Sequence, residues 1–461
     1  MKIQVKNLGA LKQAEFTLGD FTIICGGNNT GKTYATYALF GFLLTWRQMV
    51  SLEIPNAKIE ELLSEGVTRI DIREYVGGTQ EAIAKACKAY TRQLPRIFAA
   101  PGERFKETSF SIVFDIQNIS LTNKFKREIA TAKAELFSLD KIEDSTELVV
   151  TLLAEKESLK IPIHILDDII ADALKDIIFS QLFPNPFIAS AERTGAAIFR
   201  KELNFARNRL LEEMGQGDKK IEPMELLFKE YQDYALPIKT NVDFTRELET
   251  IFKKSSFIAD NHPDILTDFA DIIGGEYAVT RNDELYYLPK GKRVKLSMDE
   301  SSSAVRSLLD IGFYLRHQAQ VGDLLMVDEP ELNLHPENQR RIARLFARLV
   351  NLGIKIFITT HSDYLIKELN TLIMLNHDKP HLKNIAETEG YRKEELISAK
   401  KIKVYIAEER LIKLDGKSKR SKCPTLTPAD IDPEFGIEAR SFDTTIDGMN
   451  RIQEAIVWGA D

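Results

Sequence analysis

Phe21-Thr22-Ile23-Ile24-Cys25-Gly26-Gly27-Asn28-Asn29-Thr30-Gly31-Lys32-Thr33 is the stretch on which the fold turns. Mostly apolar residues run into a glycine-rich turn, and from Thr33 to Gln48 alanine, leucine and aromatic residues follow without a proline. The apolar run reads as a buried strand, the glycines as a loop, and the proline-free stretch as a mostly buried helix. Gly26 to Thr33 fits the pattern of a glycine, four residues, then Gly-Lys-Ser/Thr. The spacing has a cause. Glycines at 26, 27 and 31 let the N–H groups through Asn28, Asn29 and Thr30 curl into an anion-binding nest, and the helix N-terminus adds its positive dipole end. Lys32 then reaches the outer phosphates and the Thr33 hydroxyl ligates magnesium.

Two further apolar runs end in reactive side chains. Leu324-Leu325-Met326-Val327-Asp328-Glu329-Pro330 brings two acids out at the C-terminal edge of a strand, where α/β ligand sites lie. Asp328 is expected to hold the magnesium shell, and Glu329, one residue beyond the strand, to polarise an attacking water as general base. Acidic residues after strands also commonly cap helices; the phosphate loop upstream favours the chemical reading. Ile356-Phe357-Ile358-Thr359-Thr360-His361 is a third apolar strand, whose end would place His361 beside a γ-phosphate as a charge sensor.

The surrounding pattern predicts an α/β fold. Strands are expected at 2–6, 14–17 and 21–25, helices over most of 54–92, strands at 108–116, 147–153 and 159–163, a helix over 167–182 and a short strand at 186–192. Residues 197–254 are long, charged and helical in pattern, broken around 215–218, and 274–297 return to period two as a β-hairpin. The final third alternates: helix 303–317, strand 323–327, helix 337–350, strand 355–359, helix 362–369, which implies a parallel sheet with crossover helices. Beyond Asn370 come short strands at 371–375, 401–407 and 411–414, a basic loop at 416–422 and a closing helix over 445–457.

In this order the motifs resemble the ABC-type ATPase heads of the SMC, RecF and OLD-like group, in their minimal bacterial "AAA family" form. The resemblance implies an ABC-ATPase head with a mixed N-terminal β lobe, a parallel-sheet P-loop core and a helical insertion. It implies ATP and Mg2+ as cofactors. Gly26 to Thr33 stands as the Walker A loop, Leu324 to Glu329 as Walker B, Pro330-Glu331-Leu332-Asn333-Leu334-His335-Pro336 as the D-loop and His361 as the switch histidine. The family's signature serine, at the start of a helix before Walker B, matches Ser302. Here Ser303 and Ala304 replace the usual glycines, so a plain serine N-cap without nucleotide contact competes with the signature reading. Arg193, after Ile188-Ala189-Ser190-Ala191-Glu192, resembles an arginine near the OLD-like active site, with a plain surface residue as the other reading. No Q-loop residue stands out; Gln93 is the nominal candidate. The expected parts are 1–185 with Walker A and lobe insertions, 186–273 as helical arm, 274–370 with signature, Walker B and histidine, and 371–461 as an α/β extension.

Composition narrows the function. The chain has 461 residues, 44% hydrophobic and 28% charged, within the range of soluble folded proteins, and no apolar run of membrane-spanning length. Neither a signal peptide nor a disulfide or zinc framework is legible, with Cys25, Cys87 and Cys423 scattered, so a cytoplasmic protein is expected. Net charge is −7, which confines nucleic-acid contact to a local patch such as the 416–422 loop, itself more simply a solvated loop. Neither the Toprim acidic pattern nor sustained heptads are visible, against a fused OLD nuclease and a long-armed tether. Over its whole length, from Lys6-Asn7-Leu8-Gly9-Ala10-Leu11 to Gly436-Ile437-Glu438-Ala439-Arg440-Ser441-Phe442-Asp443, the sequence resembles the AriA-type ATPases of PARIS anti-phage systems, and next the PtuA type of Septu. That resemblance implies a homodimer or higher homo-oligomer through ATP-sandwiched heads, a separately encoded effector nuclease (an AriB-like Toprim protein) and a phage-encoded trigger. The rivals are a RecF/SMC-like repair ATPase that clamps DNA and a transporter ATPase.

Overall fold

In the computed structural model the apolar run at 21–25 is the strand Phe21–Gly26, buried along its whole length. It lies inside a six-stranded sheet of order Arg420–Pro428, Ile402–Lys413, Phe21–Gly26, Lys355–Thr360, Leu324–Asp328, Pro186–Ala189. All neighbours are parallel except the outer hairpin of Ile402–Lys413 with Arg420–Pro428. Near-continuous apolar sequence is what strands covered on both faces require. The register decides where function can sit. Ala407 pairs with Gly26, Cys25 with Thr360, Thr359 with Asp328 and Val327 with Ala189, so the phosphate loop, the acidic pair and the histidine leave the sheet at one edge.

The structure describes residues 1–115, 121–130, 135–153, 163–198, 234–280, 284–415, 419–438 and 440–458. Packing divides the chain into two units. One comprises Met1–Gln4, Phe42–Gln93 and Ser109–Asn185. It holds a four-stranded antiparallel sheet ordered Val67–Asp71, Glu147–Leu152, Glu135–Lys141, Phe125–Ala130. Its aromatic core packs Phe42 edge-to-face against Tyr90 and Phe183, both at 5.4 Å, and Trp46 tilted against Phe183 at 5.2 Å. The other comprises Val5–Gly41, Leu94–Thr108 and Pro186–Asp461, and contains the six-stranded sheet. Helix Pro336–Asn351 buries Ile342, Leu345, Phe346 and Leu349 at helical spacing on that unit's core. Its polar side joins Arg340 and Arg344 to the buried carboxylate of Glu368, at 2.7 and 2.5 Å. Among the described residues no helix is long and apolar enough to cross a membrane.

Most expected elements are present, with instructive differences. The strand expected at 371–375 is the end of helix Asp363–Met374. Leu365, Ile366, Leu369, Leu372 and Ile373 are buried at i, i+3, i+4 spacing, and the helical period runs on through Asn370. Strands expected at 401–407 and 411–414 are one long strand, Ile402–Lys413. Of the expected basic loop, 416–418 lie outside the described residues, while Arg420, Ser421 and Lys422 belong to a strand and pair with Lys413, Ile412 and Leu411. The helix expected over 303–317 breaks at Leu308 into Ser303–Ser307 and Leu309–His317. Strand Val67–Asp71 interrupts the helical region 54–92, after Gly66 caps helix Asn56–Glu65 in the left-handed conformation (φ 80°). Strands Phe125–Ala130 and Glu135–Lys141 were not legible. The strand expected at 159–163 lies outside the described residues up to 162, and helix Ile163–Phe179 begins at its last residue. Of the helical stretch 197–254, residues 199–233 lie outside the described residues, and the remainder includes helices Leu236–Arg246 and Leu248–Ile251. The hairpin pairs Gly275–Val279 antiparallel with Leu285–Pro289.

Candidate nucleotide site

The site grows from the end of strand Phe21–Gly26. Gly26 takes φ +135°, and a Cβ there would meet the Ala407 carbonyl oxygen at 2.4 Å; Gly31 takes φ +96°, where a Cβ would meet Leu11 at 2.7 Å. Only glycine lets the loop fold this tightly against its neighbours. Thr30 Oγ1 donates to the Gly27 carbonyl at 2.8 Å, closing the loop on itself. Helix Lys32–Met49 starts directly beyond, with Ala35 N donating to Gly31 O at 3.2 Å. The tight loop thus leads straight into a helix N-terminus, whose free backbone N–H groups and positive dipole end favour an anion.

Lys32 is buried, 6% exposed, and its Nζ donates to the carbonyls of Gly26 at 3.2 Å and Gly27 at 2.8 Å. Burial lowers its pKa, while the carboxylates of Glu329 and Asp328 act against that shift. Across the sheet edge, Thr33 Oγ1 stands 3.5 Å from Asp328 Oδ2, and Thr359 Oγ1 donates to the other Asp328 oxygen. Burial raises the Asp328 carboxyl above the ordinary aspartate range, and the neighbouring Glu329 adds to the rise. A positive charge at this position would therefore be well placed. The hard oxygens of Thr33 and Asp328 fit Mg2+, which takes one or two protein ligands beside phosphate oxygens and waters. Among the described residues no group of three or more His, Cys, Asp and Glu could hold a metal by itself.

Glu329 sits at φ +52°, a left-handed backbone that a glutamate rarely adopts. Its N–H donates to Thr359 O at 3.1 Å, and its carbonyl accepts from Arg193 Nη2 at 2.8 Å. The turn thus ends the strand abruptly and leaves the carboxylate 3.4 Å from His361 Nε2. Both side chains are about one-third exposed (34% and 30%), so they face the open edge. Burial lowers the His361 pKa first, and the Lys32 charge adds to it. His361 N donates to Glu331 Oε1 at 2.6 Å.

Lys32, Thr33, Asp328, Glu329 and His361, expected together, thus meet at one sheet edge, with the glycines and Asn28, Asn29 and Thr30 forming the loop. Ser302 is exposed and caps the short helix Ser303–Ser307, its Oγ accepting from Val305 N at 3.4 Å. Gln93 is exposed at a helix end, its N–H on Tyr90 O at 2.8 Å. Of the D-loop residues, Asn333 has φ +61° and His335 caps helix Pro336–Asn351. Arg193 is not a surface residue: it is 1% exposed. Three participants were not read from the sequence. Thr359 holds Asp328, Glu331 holds the backbone of His361, and Glu192 accepts from Tyr37 Oη at 3.0 Å, one turn along the helix from Thr33. The i, i+4 spacing of Thr33 and Tyr37 was the available signal for the last.

Residues 1–366 match the model of a family described as the AAA ATPase domain. A search of curated proteins gave no significant match. Among solved structures the chain is similar to an SmcHead bound to the C-winged helix domain of ScpA, at 11% identity over 92% of this chain and 97% of that one, with a TM-score of 0.32. It is also similar to the SMC head domain from Thermotoga maritima, at 10% identity over 93% and 98% of the two chains, TM-score 0.31. A third is the Smc head domain with an extended coiled coil bound to the C-terminal domain of ScpA, derived from Pyrococcus furiosus, at 14% identity over 98% of each chain, TM-score 0.30. These superpositions are loose, and the assignment rests on the family match. That match spans most of the 461 residues and includes the phosphate loop, both carboxylates and the histidine: the chain belongs to the AAA ATPase domain family and is an ATPase.

Proposed function

We propose that this chain is an ABC-type ATPase of the SMC, RecF and OLD-like group, acting as the sensing subunit of an AriA-type anti-phage system. One observation carries the catalytic part: Lys32, Thr33, Asp328, Glu329 and His361 converge where parallel strands end. In this reading the Gly26 to Gly31 amides and Lys32 hold the phosphates of ATP, and Thr33 and Asp328 hold Mg2+. When bound, the metal would supply positive charge that offsets the charge of the phosphates. Glu329 orients and deprotonates the attacking water, and His361, adjacent at 3.4 Å, steadies the γ-phosphate side of the site.

Ser302 supports a paired arrangement, because it stands exposed at a helix start where a second copy's nucleotide could meet it. Two copies then sandwich two nucleotides, each site completed in trans by the other's Ser302. Mixing Lys32→Ala with Ser302→Arg protein leaves one site without either lesion. The mixture is therefore expected to hydrolyse ATP faster than either variant alone; no gain at any ratio would contradict completion in trans.

The defence role is supported by the whole-chain sequence resemblance to AriA-type ATPases. In this role closed and open heads form a two-state element, and a separately encoded AriB-like Toprim nuclease is held in one state and released when a phage protein favours the other. Cells expressing the chain alone should stay phage-sensitive, and cells expressing it with its genomic neighbour should be protected in a Lys32-dependent way. Protection by the chain alone would overturn the two-component reading, and salt-sensitive duplex binding by the chain alone would favour a DNA clamp instead.

A further inference from the structure

Arg193 opens the helix Arg193–Ile198, with three residues between it and the end of strand Pro186–Ala189, and is sealed from solvent, at 1% exposure. Four of its five N–H donors go to backbone carbonyls. Nε donates to Ser307 O at 2.6 Å, Nη1 to Ser190 O at 2.7 Å and to Asp328 O at 2.6 Å, and Nη2 to Glu329 O at 2.8 Å. Three segments meet on one planar group: the end of the edge strand, the last residue of the serine-capped helix and the two residues that carry the acids. Sealed from solvent with four donors on carbonyls, the guanidinium is committed to backbone, which sets it apart from an arginine that presents its open fork to bound nucleotide. Asp310, also 1% exposed, has no hydrogen-bond partner for either oxygen among the described residues, and is the strongest of the charges that offset the buried guanidinium.

We propose that Arg193 is a positioning residue for water activation: it clamps the left-handed turn at Glu329 and couples that turn to the helix behind Ser302. The idea rests on the reading of Glu329 as general base. Glu329 at φ +52° needs outside support, and Arg193 supplies it at the carbonyl while Thr359 supplies it at the N–H. The same guanidinium holds the carbonyl of Ser307, five residues from Ser302. A shift of that helix on contact with a second copy is therefore transmitted to the carboxylate through one rigid group.

Arg193→Lys keeps the charge but presents three donors from a single point, too few for four carbonyls on three segments. Its kcat is expected to fall roughly 10- to 100-fold, as misplacement of a reacting group by about an ångström does, with ATP affinity within about twofold of wild type. Asp310→Asn leaves every Arg193 hydrogen bond in place and exchanges an unpartnered buried carboxyl, which burial pushes up to about 7, for an amide, so the folded protein should keep its kcat. A purely structural arginine would make the two variants alike in turnover, with kcat intact in both. If Arg193→Lys does not fold, the charge-neutral double variant Arg193→Gln, Asp310→Asn takes its place, with the same expected loss of kcat. Wild-type kcat in the folded Arg193 variant, or an equal kcat loss in Asp310→Asn, would overturn the clamp. Glu329→Gln measured alongside separates the two readings: wild-type turnover there removes the base assignment, whereas loss there with unchanged turnover in the Arg193 variant removes the clamp alone.

Discussion

Lys32→Ala protein is expected to bind ATP roughly a hundredfold more weakly than wild type and to show no hydrolysis above background. A charge-assisted hydrogen bond is worth up to about 3 kcal/mol, and each 1.4 kcal/mol is about a factor of ten. Among the described residues Lys32 is the lysine held inside the loop, where Nζ lies 2.8 Å from Gly27 O and 3.2 Å from Gly26 O. The substitution should leave folding intact. Burial already disfavours the ammonium form, so removing it takes away an electrostatic cost as well as two backbone contacts. Titration of a fluorescent ATP analogue, with a thermal melt of the same sample, checks both halves. Wild-type affinity in a folded Lys32→Ala protein would show that phosphate is held elsewhere.

Glu329→Gln should act on a different step, lowering kcat by about 10²- to 10⁴-fold, the usual range for a general base, with affinity for ATP and Mg2+ nearly unchanged. Two features of the fold make the substitution clean. The backbone at φ +52° is fixed by bonds to its own N–H and carbonyl, neither of which the side chain supplies. Glutamine is the same size, so His361, 3.4 Å from the carboxylate, has no space to collapse into. Single-turnover hydrolysis with radiolabelled γ-phosphate measures the loss, and turnover at the wild-type rate would assign the base to another group.

What could be read from the sequence divides along a physical line. Gly26 to Thr33, Asp328, Glu329 and His361 were legible because each chemistry-bearing residue directly follows an apolar run, and a parallel sheet delivers the ends of such runs to one edge. The register that joins them, Thr359 opposite Asp328 and Thr360 opposite Cys25, needs no side-chain detail to foresee. For Arg193 the resemblance pointed to the neighbourhood of the site, with a plain surface residue as the other reading, and not to its bonds. Its partners are the carbonyls of Ser190, Ser307, Asp328 and Glu329, and backbone oxygens leave no mark on a sequence. Strand Phe125–Ala130 has only half-buried and exposed positions in alternation, so it lacks the apolar signal by which strands are found. The end of helix Asp363–Met374 was misread for the opposite reason. A short apolar window at 371–375 fits either period, and only the buried residues before Asn370 settle which one continues.

The most direct test of the account is the identity of the nucleotide that Glu329→Gln protein carries through gel filtration after incubation with ATP and Mg2+. The account predicts intact ATP at close to one per chain, lost when Lys32→Ala is added to the same protein. Recovery of ADP from the Glu329→Gln protein would contradict it, because hydrolysis would then proceed at this site without the carboxylate on which the mechanism depends.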